Sequence, residues 1–359
     1  MLTYDSIMSM FAAGDHPGVR LGFTGRTRDG KGTYDSTGAF LVGELERLDM
    51  TLHLPLIDIK WGRDIDLRED VTLADENSSF TTSTFGTPGS LGQGSGPGYG
   101  ISWAGKKTDQ ISSLSVDIAK TVNPLTIWAK ELTYTIPELA SAAQIGRPID
   151  EQKHQALNKA HEMDVDQMVY VGDTTIGQNG LCNQANTVVT NVSNVANGSG
   201  GSPLWANKTP DEILADVNTL LVSVWKASAY AVTPSRLLLS PLAFGYISTQ
   251  KIGTSGSVSI KTYLEENNIL TSQGEGELEI FASKWLLGGG ASGTLGTQNG
   301  NDRMVAYTKN REYVRYPMTM LQRTPVQFTS IFHAVSYFCR LGVLEIVYPQ
   351  TLGYADMMS

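Results

Sequence analysis

Three groups of residues in this 359-residue chain have types that could do chemistry, and each would need partners elsewhere. Gly100-Ile-Ser-Trp-Ala-Gly105-Lys106-Lys107 has the spacing of a phosphate-cradling loop. In such a loop backbone amides hold phosphate and the lysine reaches its outer oxygens. Lys107 stands where a Ser or Thr hydroxyl would hold magnesium, and Thr108 comes one position late. The loop also needs a buried strand before it and a helix after it. Here a Gly/Ser tract precedes it and an alternating segment follows, so a basic patch on a projecting hairpin is the better reading. Glu151-Gln-Lys-His154 has the Glu-x-x-His spacing of di-iron bundles. That chemistry requires a second such pair and two more glutamates on facing helices. The chain has no second pair, so a solvated helix face is expected. The histidines (His16, His53, His154, His161, His333) make no recognisable signature with Cys182 or Cys339, and there is no GxSxG elbow. No catalytic residue, cofactor or metal is expected.

The bulk composition fits either a protein whose surface ends against other protein or a β-rich protein with many turns. Hydrophobic residues make up 41% of the chain, enough for a core, while charged residues make up only 18% and glycine occurs 37 times. That balance fits much loop and much surface that ends against other protein. Net charge is −9 with no lysine run, which argues against dedicated nucleic-acid binding. Cys182 and Cys339 show no CxxC or metal spacing and read as reduced structural thiols. The start, MLTYDSIMSMFAAGD, lacks the basic and apolar regions of a signal peptide, and no stretch approaches the ~20 apolar residues of a membrane span. Synthesis in the cytoplasm is expected.

The elements that would position these residues follow in order. Residues 1–50 lack periodicity and read as an arm, with a short helical patch at Gly43–Leu48. Ile65, Leu67, Val71 and Leu73 alternate with polar residues and predict a half-buried strand; Leu114, Val116 and Ile118 predict another. Between them lies SSFTTSTFGTPGSLGQGSGPGYG, too polar for a core and too long for an ordinary loop. Two strands joined by it predict an extended hairpin projecting from the body. A helix follows over 137–169, opened by Pro137, kinked at Gly146-Arg147-Pro148, with Ala156, Leu157, Ala160 and Met163 as its apolar stripe. After a loop with a β-like stretch at Thr187–Thr190, Thr209-Pro210-Asp211-Glu212 predicts a capping box. The helix it opens carries Ile213, Leu214, Val217, Leu220, Leu221 and Val224. Arg236–Ser240 predicts a buried strand, with short helices after Pro241 and near Ile260–Glu266. Strands at Glu277–Lys284 and Arg303–Lys309 complete an α/β unit over roughly 210–310, and Glu312–Tyr348 is β-rich. There is no internal repeat.

That order resembles the major capsid proteins of tailed bacteriophages, with the Hong Kong 97-type capsid fold that encapsulins share. Local words resemble it too: Val171-Gly172-Asp173 followed by Gly180-Leu181-Cys182-Asn183, then Val232-Thr233-Pro234-Ser235-Arg236 through Pro241. Arg315-Tyr316-Pro317-Met318 and Arg340-Leu341-Gly342-Val343 through Pro349 resemble one phage branch. The resemblance implies an α+β fold with a division of the chain: 1–60 N-terminal arm, 61–120 extended-loop hairpin, 121–209 peripheral domain with a spine helix at 137–169, 210–310 axial domain, 311–359 return to the peripheral domain. It implies a structural protein that assembles into hexamers and pentamers of an icosahedral shell, enclosing DNA without sequence-specific binding. The alternatives are an encapsulin-type nanocompartment shell and, more remotely, a nucleotide-using enzyme with a degenerate phosphate loop at 100–107.

Intersubunit contacts are then expected at Tyr99, Trp103, Lys106, Lys107, Arg315 and Tyr316. Aromatic anchors on a polar tip would carry much of that contact. One family variant joins an extended-loop lysine to a neighbour's asparagine; neither Lys106 nor Lys107 aligns with the reactive position, so non-covalent contacts are expected. The chain starts without a charged helical pre-segment, so any scaffold is expected to be a separate protein, alongside a portal and decoration proteins. The destination is the virion capsid.

Overall fold

The structure, a computed structural model, describes residues 55–86, 115–145, 149–185, 188–189, 191–252, 258–274, 276–290 and 301–356. The helical patch expected at 43–48, the run Gly100–Lys107, and Tyr99 and Trp103 all lie outside the described residues.

A single helical turn, α1 (Trp61–Asp64), leads into β1 (Asp66–Arg68). The alternation over Ile65–Leu73 does not become one strand. A turn intervenes, closed by the Asp75 carboxylate, which accepts from the Thr72 amide at 2.7 Å and its hydroxyl at 2.8 Å. The hairpin is built instead from β2 (Asn77–Gly86) and β3 (Ser115–Pro124), antiparallel from Asn77↔Pro124 to Gly86↔Ser115. Residues 78–86, expected in the polar tip, are therefore strand. Thr and Phe favour the pleated backbone even without aliphatic neighbours. At ~3.3 Å per residue each arm is about 33 Å long.

After Leu125 come β4 (Thr126–Thr135), α2 (Ile136–Ile145) and α3 (Ile149–Tyr170). The buried face of α3 is Leu157, His161, Val165, Asp166, Val169 and Tyr170. Only Leu157 belongs to the expected stripe; Ala156 and Met163 are exposed. Counting apolar residues misplaced that face because His161 and Asp166 are buried with partners of their own. The chain then turns through β5 (Gly172–Asp173) and β6 (Gln178–Asn179). Gly172 has φ +76°, and a Cβ there would collide with the backbone of Gln178 and Asn179, so the Gly-Asp word is a steric requirement.

The strand expected near 187–190 forms at β7 (Val192–Asn194). The capping box holds: Thr209 Oγ1 accepts from the Glu212 amide at 3.4 Å, and the Glu212 carboxylate accepts from the Thr209 amide at 2.9 Å. It opens α4 (Pro210–Ala227), followed by β8 (Arg236–Leu239), α5 (Pro241–Thr249), α6 (Ile260–Glu266), α7 (Ile269–Gln273), β9 (Glu279–Ala282) and β10 (Arg303–Tyr307). The chain ends in β11 (Val314–Pro317), β12 (Gln322–Arg323), β13 (Gln327–Thr329), β14 (Phe332–Leu341), β15 (Glu345–Ile346) and β16 (Leu352–Asp356).

Besides the two-stranded β2–β3 and β5–β6 pairs, three larger sheets organise the described strands. The largest runs β7-β16-β10-β8-β9 and is buried on both faces. Leu237, Leu239, Met304, Ala306 and Ala355 face the layer of α4, α5 and α6; Leu238, Val305, Tyr307 and Tyr354 face a second core that includes Val165, Val169 and Tyr170 of α3. The unit anticipated over 210–310 thus takes in β7 and β16, and β16 is an interior strand that pairs with β10 on one side and β7 on the other. A second sheet pairs β4 with β14 over ten residues, with β12 and β13 on the other side of β14. The third is β1-β11-β15.

Candidate assembly surfaces

The base of the β2–β3 ribbon is fixed by a charge that the apolar run around it conceals. Glu345 is fully buried between Leu344 and Ile346. Its carboxylate accepts from Arg315 Nε at 2.7 Å, from Arg68 Nη1 at 3.2 Å and from the Ser78 hydroxyl. Arg68 also donates to the Ser79 carbonyl at 3.1 Å. Strands β1, β11 and β15 of the body and β2 of the ribbon therefore converge on one carboxylate. Arg340 adds a brace, donating to the carbonyls of Leu73 at 2.7 Å and Leu125 at 3.2 Å.

The two faces of the ribbon differ. Side chains alternate, so Ser78, Phe80, Thr121 and Asn123 share one face. Ser78 is buried, and the other three line a cleft of about 260 Å³ against Val343, Leu344 and Ile346. The opposite face carries Val116, Ile118 and Val122, which are 59%, 68% and 51% exposed. Their cross-strand partners Ser83 and Ser79 are too small to cover Ile118 and Val122. Nothing described in the chain packs over this face.

A second apolar surface lies on the β13–β14 turn. Val326, Phe328 and Ile331 are exposed, Phe328 at 72%, Phe332 is exposed on the opposite face of the hairpin, and Ser330 sits at φ 56° in the turn. Single exposed hydrophobic residues are ordinary, but contiguous ones mark interaction sites. Beside this hairpin a cleft of about 740 Å³ is lined by Tyr134, Asp150, Glu151, His154, His333 and Tyr337, among others. Glu151 and His154 are exposed there, and no group of three or more potential ligands is assembled for a metal among the described residues.

Of the other residues singled out from the sequence, Arg315 is partly exposed and engaged with Glu345. Tyr316 is fully buried, its hydroxyl without a hydrogen-bond partner among the described residues. That placement corrects the expectation for Tyr316: it is a core residue of the subunit and presents no surface to a neighbour. Lys106 and Lys107 lie outside the described residues. Both cysteines are buried and free; burial pushes the Cys182 thiol well up and the Cys339 thiol up to about 12. The knot around Glu345 was missed because its members are up to 277 residues apart. The one signal available was a carboxylate in the apolar run Val343–Val347, where a lone charge would be prohibitively costly.

Comparison with known proteins bears on these surfaces. The family model described as "Major capsid protein" matches residues 100–358. Among solved structures, the capsid of Myoviridae phage XM1 is similar with a TM-score of 0.67 at 13% identity, covering 88% of this chain and 98% of that one. Microbacterium phage Oxtober96 is similar with a TM-score of 0.57 at 10% identity, covering 89% and 98%. The capsid of an empty GTA particle is similar with a TM-score of 0.54 at 10% identity, covering 90% and 97%. None of the curated proteins matches the chain.

Proposed function

Because the chain belongs to the major capsid protein family, we propose that it closes an icosahedral shell of hexamers and pentamers around a phage genome. It is a structural protein of the shell and not an enzyme. Its α+β fold agrees with the Hong Kong 97-type capsid fold expected from the order of elements, and it is the fold of the phage XM1 capsid. The observation that carries the finer reading is the uncovered Val116-Ile118-Val122 face, on a ribbon whose base is anchored by Glu345. Such a face is costly for a solitary chain and favourable once a second copy covers it. At half exposure, each of these side chains offers on the order of 1 kcal/mol when buried. Repeated over every subunit of a shell, that becomes a large cooperative term.

The β2–β3 ribbon then serves as the extended loop and α3 as the spine of a peripheral domain. The sheet flanked by α4–α6 serves as the axial domain, and β11–β15 return to the periphery before β16 re-enters that sheet. Arg315, Tyr99, Trp103, Lys106 and Lys107 remain the proposed intersubunit set, held by non-covalent contacts. Synthesis in the host cytoplasm, a separate scaffolding protein, a portal and decoration proteins belong to the same reading. Electron microscopy of the purified full-length protein tests it: closed shells or ring-shaped capsomers are the expected result. A stable monomer across scaffold and salt conditions would overturn it.

A further inference from the structure

The five-stranded sheet ends on one side at β9, and the outer edge of that strand is unpaired among the described residues. In the parallel ladder with β8, the amides of Glu279 and Ser283 donate inward to the carbonyls of Ser235 and Leu239, at 3.0 and 2.9 Å. By alternation, the amides and carbonyls of Ile280 and Ala282 point away from β8, along the open edge. A cleft of about 550 Å³ runs beside it, lined by Leu278, Glu279, Ile280 and Phe281. Ile280 and Phe281 have opposite parity, so a cleft touching both follows the edge of the strand and not one face of the sheet.

Its walls are acidic. Glu265, Glu266, Glu277 and Glu279 all line it, against the single cation Lys261. Lys261 pairs with Glu265 at 2.9 Å, and Arg236, from behind the strand, pairs with Glu279 at 2.6 Å. Glu266 and Glu277 are exposed and have no ion-pair partner among the described residues. Charges on an edge strand ordinarily prevent edge-to-edge association, since two identical acidic edges repel. The same glutamates favour a strand of the opposite sign.

We infer that the open edge of β9 and its acidic cleft receive an extended, lysine- or arginine-bearing segment of another polypeptide as a sixth strand of the sheet. Main-chain hydrogen bonds to Ile280 and Ala282 supply the pairing, and Glu266 and Glu277 select the charge. The inference stands apart from the shell reading, because it concerns the unassembled subunit and a surface that the ribbon does not form.

Fluorescence anisotropy on unassembled full-length protein tests it, using a labelled seven-residue peptide that alternates arginine with valine or threonine. Binding is expected to be saturable and to weaken about tenfold when salt rises from ~50 to ~500 mM. The double variant Glu266→Lys, Glu277→Lys is expected to lose at least about tenfold in affinity. Ala282→Pro removes one outward amide while leaving the inward ladder intact, a position where an edge strand tolerates proline. It is expected to cost a similar factor with every charge in place. If that variant does not fold, the same peptide N-methylated at alternate amides, offered to the unaltered protein, makes the equivalent comparison. Equal affinity for the N-methylated and plain peptides would reduce the site to unspecific charge attraction and overturn strand addition. Full displacement of the peptide by spermine at matched charge would do the same.

Discussion

Glu345 is a buried carboxylate flanked by two guanidiniums that still touch water, so its worth lies between that of a surface and a fully buried ion pair. Glu345→Gln keeps the volume but leaves Arg68 and Arg315 facing a neutral amide. A loss of about 2 kcal/mol is expected, read as a lower denaturation midpoint. Faster hydrogen exchange should be confined to residues 78–80, at the base of the ribbon, and an unchanged rate there would remove Glu345 as the anchor. His161 offers a second residue-scale test. It lies against Trp128, ring centroids 4.8 Å apart, and Cys339 Sγ is 3.4 Å from its Nε2. Burial lowers its pKa below the ordinary 6.5, against the opposite pull of Glu162 and Asp164. The unfolded chain therefore takes up the proton first. Stability is complete above about pH 6.5 and is lost as the pH falls from there toward the lower folded value. The melting midpoint is expected to drop between pH 7 and 5.5, and His161→Gln should flatten that slope. A slope unaltered by the substitution would assign it to other groups.

At the scale of elements, the ribbon separates folding from assembly. Ile118 is 68% exposed and makes no core, so Ile118→Asp should shift stability by no more than about 0.5 kcal/mol. On the proposed function the same variant should yield soluble, folded subunits that fail to close shells, seen by size exclusion and microscopy. Normal shells would mean that this face is not an interface. Elements whose signals are local were legible in the sequence. Thr209 and Glu212 announce a helix start because both partners of the capping box lie within one turn. Arg236–Leu239 reads as strand because its apolar run is bounded by Pro234 and Pro241. The ribbon register was not legible, since Ser and Thr dominate β2 and leave no apolar alternation to align with β3. The buried face of α3 was not legible either. His161 and Asp166 point inward only because Cys339, Trp285 and the Lys60 amide, all remote in sequence, meet them there.

Across the whole molecule, what matters is which bonds could hold many copies together. Cys182 and Cys339 are both buried, and burial holds both thiols in the unreactive protonated form at neutral pH. Assembled particles boiled without reductant are expected to run as one band at the 38.8 kDa chain mass. A ladder of multimers would show covalent links, and its response to reductant would tell disulfide from any other bond. On the proposed function, the low proportion of charge and the abundance of glycine suit one sequence that must meet neighbours in slightly different environments.

The interior position of β16 makes closure of the sheet depend on its last strand in sequence among the described residues. Strands β7 and β10 flank Leu352–Asp356 and do not pair with each other, so the sheet has a gap until residue 356 has left the ribosome exit tunnel. Chains that lack residues 352–356 cannot complete either core, because Tyr354 belongs to one and Ala355 to the other. Ribosome-stalled chains ending at residue 345 should remain sensitive to brief proteolysis along 192–307, whereas released full-length chains should resist it. Resistance in the stalled chains would mean that the sheet closes without β16.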